Sequence, residues 1–130
     1  MKNSAFQFSS PALTDLRFVI NEGFMGKENQ EASIRMNIAV SIHREENASE
    51  AVVSLRIEIG EPGELVPFHI CATESAGFRW EADLQEANVD NLLNQNAPAL
   101  LLSYLRPVIT QITAASPYEA YNIPFVNFKK

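Results

Sequence analysis

The side chains that could do chemistry are few and widely spaced in this 130-residue chain. His43 and His69 are the only histidines, and each falls on the outward face of a predicted strand, without a cysteine or carboxylate at the spacing of a metal-ligand motif. Cys71 is the single cysteine, so it has no second thiol for a disulfide or a thiolate cluster. We therefore predict no metal site, and we predict a structural role for Cys71.

Motifs for nucleophilic catalysis and for phosphate binding are also absent from the sequence. No serine stands between glycines as in a strained nucleophile turn. Two glycines flank Phe24-Met25, but no Lys-Ser or Lys-Thr pair follows as in a phosphate loop. The acidic residues within 45–50 are typical of a solvated loop, because a general acid and base pair needs one carboxylate in a dry environment. We predict neither enzymatic activity nor a bound cofactor.

Composition favours one folded domain over residues 1–130. Hydrophobic residues make up 46% and charged residues 20%, which is a globular balance. The formal net charge is -6 and the 10 lysines and arginines are scattered, so a nucleic-acid partner is not expected. No apolar run approaches the ~18 residues of a membrane span, and the first residues lack the pattern of a secretory signal. These features, together with the single cysteine, predict a cytoplasmic protein that does not insert into membranes.

Four segments alternate apolar and polar residues with the period of two that half-buried strands require. They span residues 13–20, 34–42, 53–59 and 65–74. A polar stretch between the second and third predicts a hairpin loop, and the glycines and proline of GEPGE predict a turn after the third. The sequence therefore predicts a four-stranded antiparallel β-meander.

The last third of the chain predicts two helices. Asp83 or Asn88 could cap a short helix that carries Val89, Leu92 and Leu93. Asn96, placed just before Ala97-Pro98, predicts the start of a longer helix. Both helices are expected to pack on one face of the sheet, which makes the predicted fold class α+β.

The longer helix contains a proline. Its predicted apolar stripe consists of Leu101, Leu105, Val108 and Ile112. Pro107 lacks a donor toward the Ser103 carbonyl, but the stripe keeps its phase across the proline. We therefore predict one kinked helix at this point and not two separate helices.

The stretch from residue 97 to residue 128 resembles the carboxy-terminal signature of the SecB protein-export chaperones. In that family a proline opens a helix, an isoleucine-threonine pair follows, and an extended run ends in valine-asparagine-phenylalanine. The matching positions are Pro98, Leu101, Leu102, Tyr104, Arg106, Ile109, Thr110, Val126, Asn127 and Phe128. Asp15, Leu16 and Phe18 resemble the family's first strand, and residues 68–78 resemble its fourth strand and the turn after it.

This resemblance implies a chaperone that binds unfolded or nascent polypeptide in extended form, with protein export as the process. It also implies a homo-oligomer, either a dimer or a tetramer. Phe24 and Met25, in the long first loop, are the first candidates for lining a peptide groove, and Leu92 and Leu93 come next. Ordinary core or subunit packing is the alternative for all four residues.

Other residues of the signature have structural interpretations. Tyr104 is expected to pack under the helix, and Arg106 is expected to tie the helix to a backbone carbonyl or an acid. Trp80, at the end of the sheet, is expected in the core.

The chain departs from the family pattern at places that affect function. The first loop lacks the family's tryptophan-x-proline. An acidic position that helps to bind the SecA motor is Cys71 here, and the acidic tail is reduced to Lys129-Lys130, so SecA is a doubtful partner. The departures at Cys71 and at the tail favour an alternative function: a dedicated structural or regulatory partner of one protein, such as an antitoxin-type chaperone, with no general holdase activity.

Overall fold

The structure is a computed structural model that describes residues 4–24 and 34–129. Within these ranges the chain forms a sheet followed by one helical run. The elements in chain order are β1 (Phe6–Phe8), β2 (Ala12–Ile20), β3 (Met36–His43), β4 (Glu50–Gly60), β5 (Phe68–Trp80), α1 (Glu86–Asn91), a π-helical turn (Leu92–Asn96) and α2 (Ala97–Ala114). The predicted α+β class is confirmed, but the sheet in the described ranges has five strands and not four.

The strand order corrects the predicted meander. β5 pairs with β4 along one edge and with both β1 and β2 along the other, while β3 pairs with β4, and all pairs are antiparallel. Phe18 lies opposite Ile70, so the first long strand neighbours the last one. This is a Greek-key arrangement. Its physical reason is that a meander would leave the long outer edge of β5 without backbone partners, and the amino-terminal strands supply them.

β1 and β2 together form one interrupted edge strand. The interruption falls at residues 9–11, where Pro11 has no N–H to contribute to a ladder. Ser9 keeps contact with β5, since its N–H donates to the Gly77 carbonyl at 2.8 Å and its hydroxyl accepts from the Gly77 N–H at 2.8 Å. The three-residue β1 was missed in the sequence because three residues are too few to show a period.

The core lies between one face of the sheet and the helix. Alternate residues of β4 and β5 point into it, as the period of two predicts, and they meet Leu101 and Leu105 from α2. Trp80 is buried in this core, as expected. The opposite face of the central strands carries polar residues such as Ser54, Arg56 and His69, and we call it the outer face.

The two predicted helices are one continuous helical run from Glu86 to Ala114. Asn96 has helical angles (φ -73, ψ -43) and makes no capping bond, so it does not start a helix. Pro98 has no N–H to donate to the Asn94 carbonyl, and its ring would crowd that carbonyl in a regular α-helix. The wider π-helical turn that ends just before Ala97 accommodates the ring. At the start of the run, Gln85 stands at the cap without a side-chain bond, so neither predicted cap forms.

The long helix passes through Pro107 without a break, which confirms a single helix there. Its buried stripe after Leu105 follows Ile109 and Thr113, at four-residue steps. The predicted stripe residues Val108 and Ile112 are only half-buried. None of the helices in the described ranges is long and apolar enough to cross a bilayer.

Arg44 ties the β3–β4 hairpin to the start of the helix. Its guanidinium donates to both carboxylate oxygens of Glu86, at 3.0 and 2.9 Å, and its Nε donates to the Ala48 carbonyl at 2.9 Å. The same group lies 4.9 Å from the centre of the Trp80 ring. The hydrogen bonds from Arg44 lower the pKa of Glu86.

Candidate peptide-binding surface

The helix covers the centre of the sheet and leaves its two flanks open. α2 packs mainly on β4 and β5. On the same face, the edge strands present apolar side chains that are only half-buried, namely Phe18 and Ile20 on β2 and Met36, Ile38 and Ile42 on β3. Leu16 on β2 and Val40 on β3 are each 38% exposed. We call these two strips the β2 flank and the β3 flank.

Each flank borders a strand with one free edge. In the described part of the chain β3 pairs only with β4, and β2 pairs only with β5. Such edges present backbone N–H and C=O groups that an added extended chain can bond. An apolar strip beside a free edge therefore offers an extended polypeptide both backbone partners and a place for alternate side chains.

Aromatic rings extend the β2 flank toward the carboxy-terminal segment. Phe18 meets Phe68 edge-on at 6.0 Å between ring centres, and Phe68 meets Tyr121 in the same way at 6.3 Å. Phe24 meets Tyr118 edge-on at 5.7 Å. Burial raises the pKa of Tyr121, which remains a neutral ring at neutral pH. These five residues form what we call the aromatic cluster.

Asn21 positions the first residues of the long loop. Its side chain is buried and its Nδ2 donates to the carbonyls of Glu61 and Val66, at 2.8 and 2.9 Å. The backbone N–H of Asn21 donates to the Pro67 carbonyl at 2.9 Å, and the Phe24 N–H donates back to the Asn21 carbonyl at 2.9 Å. In the sequence, only the preference of asparagine for turns pointed to this role, and that preference does not identify the carbonyl groups that Asn21 bonds.

The predicted groove residues lie in different environments. Phe24 is half-buried within the aromatic cluster, and Met25 lies outside the described residues. Leu92 is half-buried, whereas Leu93 is only 3% exposed and belongs to the core. Leu93 therefore packs in the core, which was the alternative to a role in the groove.

The segment after α2 runs along the helix without regular secondary structure. Arg106 donates to the carbonyls of Ile123 and Pro124, as the sequence predicted for this arginine. Thr113 accepts the Tyr121 N–H on its hydroxyl at 2.7 Å. Tyr104 is exposed, so the prediction that it packs under the helix is wrong. A cavity of about 350 Å³ opens between helix and segment, lined by Ala99, Leu102, Arg106, Phe125, Val126 and Phe128.

A larger cavity of about 570 Å³ lies at the end of the sheet where β4 begins and β5 ends, between β1 and the end of β3. Its lining combines Phe8 and Val52 with polar side chains that include His43, Glu45 and Arg79. His43 is exposed and lies 3.5 Å from a Glu45 oxygen. This cavity therefore offers apolar and polar groups side by side.

The outer face brings together a histidine, a cysteine and a carboxylate that the sequence analysis treated as separate. His69 Nε2 lies 2.9 Å from Glu58 Oε2, and Cys71 Sγ lies within 3.7 Å of both. The hydrogen bond from His69 lowers the pKa of Glu58, and burial raises the pKa of the Cys71 thiol. No motif spacing in the sequence indicates this grouping, because the strand pairing and not the spacing brings Glu58 to His69 and Cys71.

Comparison with known proteins places the chain in a class. The family described as "Preprotein translocase subunit SecB" matches residues 5–130, so the chain belongs to the SecB family. Among its relatives is the protein-export protein SecB of Anaplasma phagocytophilum, 30% identical over 114 residues that cover 80% of this chain and 72% of the relative. Protein-export protein SecB 1 of Francisella tularensis subsp. novicida is 25% identical over 126 residues, covering 95% and 83%. The predicted resemblance is thereby confirmed.

Solved structures share the fold. One is a SecB-like chaperone of Mycobacterium tuberculosis in complex with a ChAD peptide from the HigA1 antitoxin, with a TM-score of 0.74, 12% identity, and coverage of 94% of this chain and 91% of that one. A protein of unknown function from Streptococcus agalactiae matches with a TM-score of 0.52 at 12% identity, over 92% and 97%. At these identities the likeness concerns the fold.

Proposed function

We propose that this protein is a SecB-type chaperone that binds extended, unfolded segments of other proteins and does no covalent chemistry. The observation that carries the proposal is the pair of open flanks. Each combines partly exposed apolar side chains, such as Leu16 or Val40, with the free edge of a strand. Membership of the SecB family supports it.

The flanks suit an unfolded client for a physical reason. An unfolded chain offers unpaired backbone groups and apolar side chains without a fixed shape, so a site for it needs backbone partners and a broad apolar surface. On the β2 flank the aromatic cluster adds such a surface, to which the half-buried Phe24 belongs. Met25 is the next residue in the sequence, and methionine side chains adapt easily to irregular partners. We therefore place client binding on the β2 flank first and on the β3 flank second.

A holdase assay tests this function. Several unrelated proteins are unfolded by heat or by dilution from denaturant, and their light scattering is followed with and without the purified protein. A general chaperone suppresses the aggregation of all of them in proportion to its concentration. An equal mass of an inert folded protein is the control for crowding. If none of the clients is protected, the proposed general function is wrong.

A second candidate function is a dedicated partner of a single protein. The structural neighbour from Mycobacterium tuberculosis was solved with a peptide of one antitoxin, which favours this candidate. Cys71, at a position that is acidic in the family, also favours it and makes coupling to SecA a poor expectation. The same assay distinguishes the two functions, because a dedicated partner protects one protein that co-purifies with it and leaves the unrelated clients unprotected.

We also propose that the protein forms a homo-oligomer, as a dimer or a tetramer. The free edges of β2 and β3 and the apolar flanks beside them leave surface that a second copy can cover. Light scattering at micromolar concentration checks this. A particle of 14.5 kDa, the mass of one chain, would contradict it.

A further inference from the structure

Three potential metal ligands converge on the outer face of the central strands. His69 and Cys71 are two residues apart on β5 and therefore point to the same side. Glu58 on β4 lies directly opposite Cys71 in the antiparallel register, and His69 pairs with Gly60 two positions further along. One ligand atom from each of Glu58, His69 and Cys71 lies within 4.8 Å of the other two.

We propose that Glu58, His69 and Cys71 form a Zn²⁺ site, with the fourth coordination position open to water or to a ligand from a bound molecule. The three side chains would supply a carboxylate oxygen, the imidazole Nε2 and a thiolate. Metal binding at this place is independent of client binding on the flanks, which belong to the opposite face of the sheet.

The distances between the ligand atoms are close to those of a tetrahedral site. With Zn–S near 2.3 Å and Zn–N and Zn–O near 2.0 Å, a tetrahedron places sulfur about 3.5 Å from each of the other ligands and nitrogen about 3.3 Å from oxygen. The structure has 3.6 Å from Cys71 Sγ to His69 Nε2 and 3.7 Å from Sγ to Glu58 Oε2. Only the hydrogen-bonded pair His69 and Glu58, at 2.9 Å, must open, by about 0.4 Å.

The donor set selects the ion. A thiolate and an imidazole suit Zn²⁺, whereas Mg²⁺ and Ca²⁺ prefer sites made of oxygen ligands. The Glu58 and His69 side chains are 35% and 22% exposed, so an ion can enter from solvent, while Cys71 lies buried beneath them. The thiol must lose its proton when the metal binds, because the thiolate is the form that coordinates the ion.

Two arginines are the neighbouring charges that oppose a cation. Arg17 on β2 lies opposite Cys71, and Arg56 on β4 also acts on it; both stabilise the thiolate form. The thiolate and the Glu58 carboxylate bring two negative charges, which balance the charge of Zn²⁺. The arginines therefore face a neutral cluster and not a bare cation.

The test uses the full-length protein, freed of any affinity tag and reduced with a phosphine. Zn²⁺ is titrated in competition with a chromophoric chelator, and Co²⁺ is used as a spectroscopic probe. We expect one ion per chain and, with Co²⁺, a thiolate charge-transfer band in the near ultraviolet together with tetrahedral d–d bands. Cys71→Ser should abolish the charge-transfer band and weaken Zn²⁺ binding about 100-fold or more.

The other variants separate a metal site from a hydrogen-bonded cluster. His69→Gln should weaken binding about as much as Cys71→Ser, and Glu58→Gln about tenfold or more, because each removes one ligand. His43→Gln is the matched control, since His43 also lies beside a carboxylate, that of Glu45, and it should leave Zn²⁺ affinity unchanged. Denaturation midpoints of all variants report whether each one is folded.

Several results would overturn the proposal. Wild-type protein that binds less than one Zn²⁺ per chain at micromolar concentration, or gives no sulfur charge-transfer band with Co²⁺, has no such site. Affinity that survives Cys71→Ser and His69→Gln, or falls equally with His43→Gln, places the ion elsewhere. The wild-type Co²⁺ spectrum decides the question even if a variant fails to fold.

Discussion

The guanidinium of Arg106 donates from Nη2 to the backbone carbonyl oxygen of Pro124 at 3.0 Å. Its Nη1 donates to the carbonyl of Ile123, the residue that the terminal segment buries. This segment does not form a strand, and side chains of the helix bond several of its backbone groups instead. Thr113 does the same for the Tyr121 N–H. Arg106 of the signature, together with Thr113, therefore binds the terminal segment to the helix.

We expect Arg106→Ala to loosen the terminal segment. Loss of charge-assisted bonds to two carbonyls should lower the free energy of unfolding by about 1.5 to 3 kcal/mol. Urea denaturation measures the loss, and hydrogen exchange should become faster over residues 121–128. Arg79→Ala, at an exposed position on β5, is the control. A loss no larger than that of Arg79→Ala would show that the segment is held by its apolar contacts alone.

The local structure of the strands could be predicted because half-buried strands have a period of two. The pattern located β2, β3 and β4 to within a few residues, but it ended β5 at Glu74, whereas the strand continues to Trp80. The cause is Glu74 itself, a buried acid at a core-facing position, which interrupts the apolar series. When a polar residue occupies a core-facing position, the alternating pattern in the sequence predicts that the strand ends there.

Glu74 gives a prediction of pH dependence. In the described part of the chain its buried Oε2 has no hydrogen-bond partner, and burial raises its pKa. Below the ordinary pKa of glutamate the Glu74 side chain is neutral in both the folded and the unfolded chain, so folding does not bury a charge. As the pH rises through the interval up to the raised pKa, the unfolded chain ionises more readily, and stability contributed by Glu74 is lost.

We therefore expect Glu74→Gln to gain stability relative to wild type as the pH is raised from about 4, below the ordinary pKa of glutamate, to about 7, by up to about 1 kcal/mol. Urea denaturation at both pH values measures this. Glu81→Gln, at an exposed position after β5, should show no such difference. If the two variants depend on pH in the same way, the Glu74 carboxylate is solvated in the folded protein.

Long-range pairing could not be predicted from local patterns. Nothing in β2 specifies that its partner is β5, because alternation fixes which face is buried but not which strand lies alongside. The ligand cluster shows the same limit: the hairpin register, and not sequence spacing, brings Glu58 to His69 and Cys71. Phe24 could be selected from its loop, but its contact with Tyr118 depends on the path of the terminal segment.

Pro107 should be replaceable without loss. It is exposed, lies inside the continuous helix, and lacks the N–H that would bond the Ser103 carbonyl. We expect Pro107→Glu to leave the free energy of unfolding unchanged or to raise it by about 1 kcal/mol. The restored hydrogen bond stabilises the folded chain, and the greater conformational freedom of the unfolded chain without proline offsets part of that gain. Thermal and urea denaturation measure the change. A loss of several kcal/mol would mean that the ring has a packing role against a second copy of the chain.

The last prediction concerns Phe24 as a client-binding residue. Its ring is half-buried and touches Tyr118 edge-on, so Phe24→Ala should lower the free energy of unfolding by only about 1 kcal/mol. If the ring contacts clients, the same variant should weaken binding of an unfolded model protein about tenfold. Phe125→Ala is the matched control, because that ring is 89% exposed and lies outside the aromatic cluster.

Chemical denaturation and the aggregation assay on these two variants separate the roles of the ring. A midpoint that falls sharply for Phe24→Ala assigns Phe24 to the core and removes it from the client surface. Normal stability with unchanged protection shows that clients bind elsewhere. A loss of protection in Phe125→Ala, with full protection in Phe24→Ala, would move the binding surface from the β2 flank to the cavity between α2 and the terminal segment, where Phe125 is a lining residue.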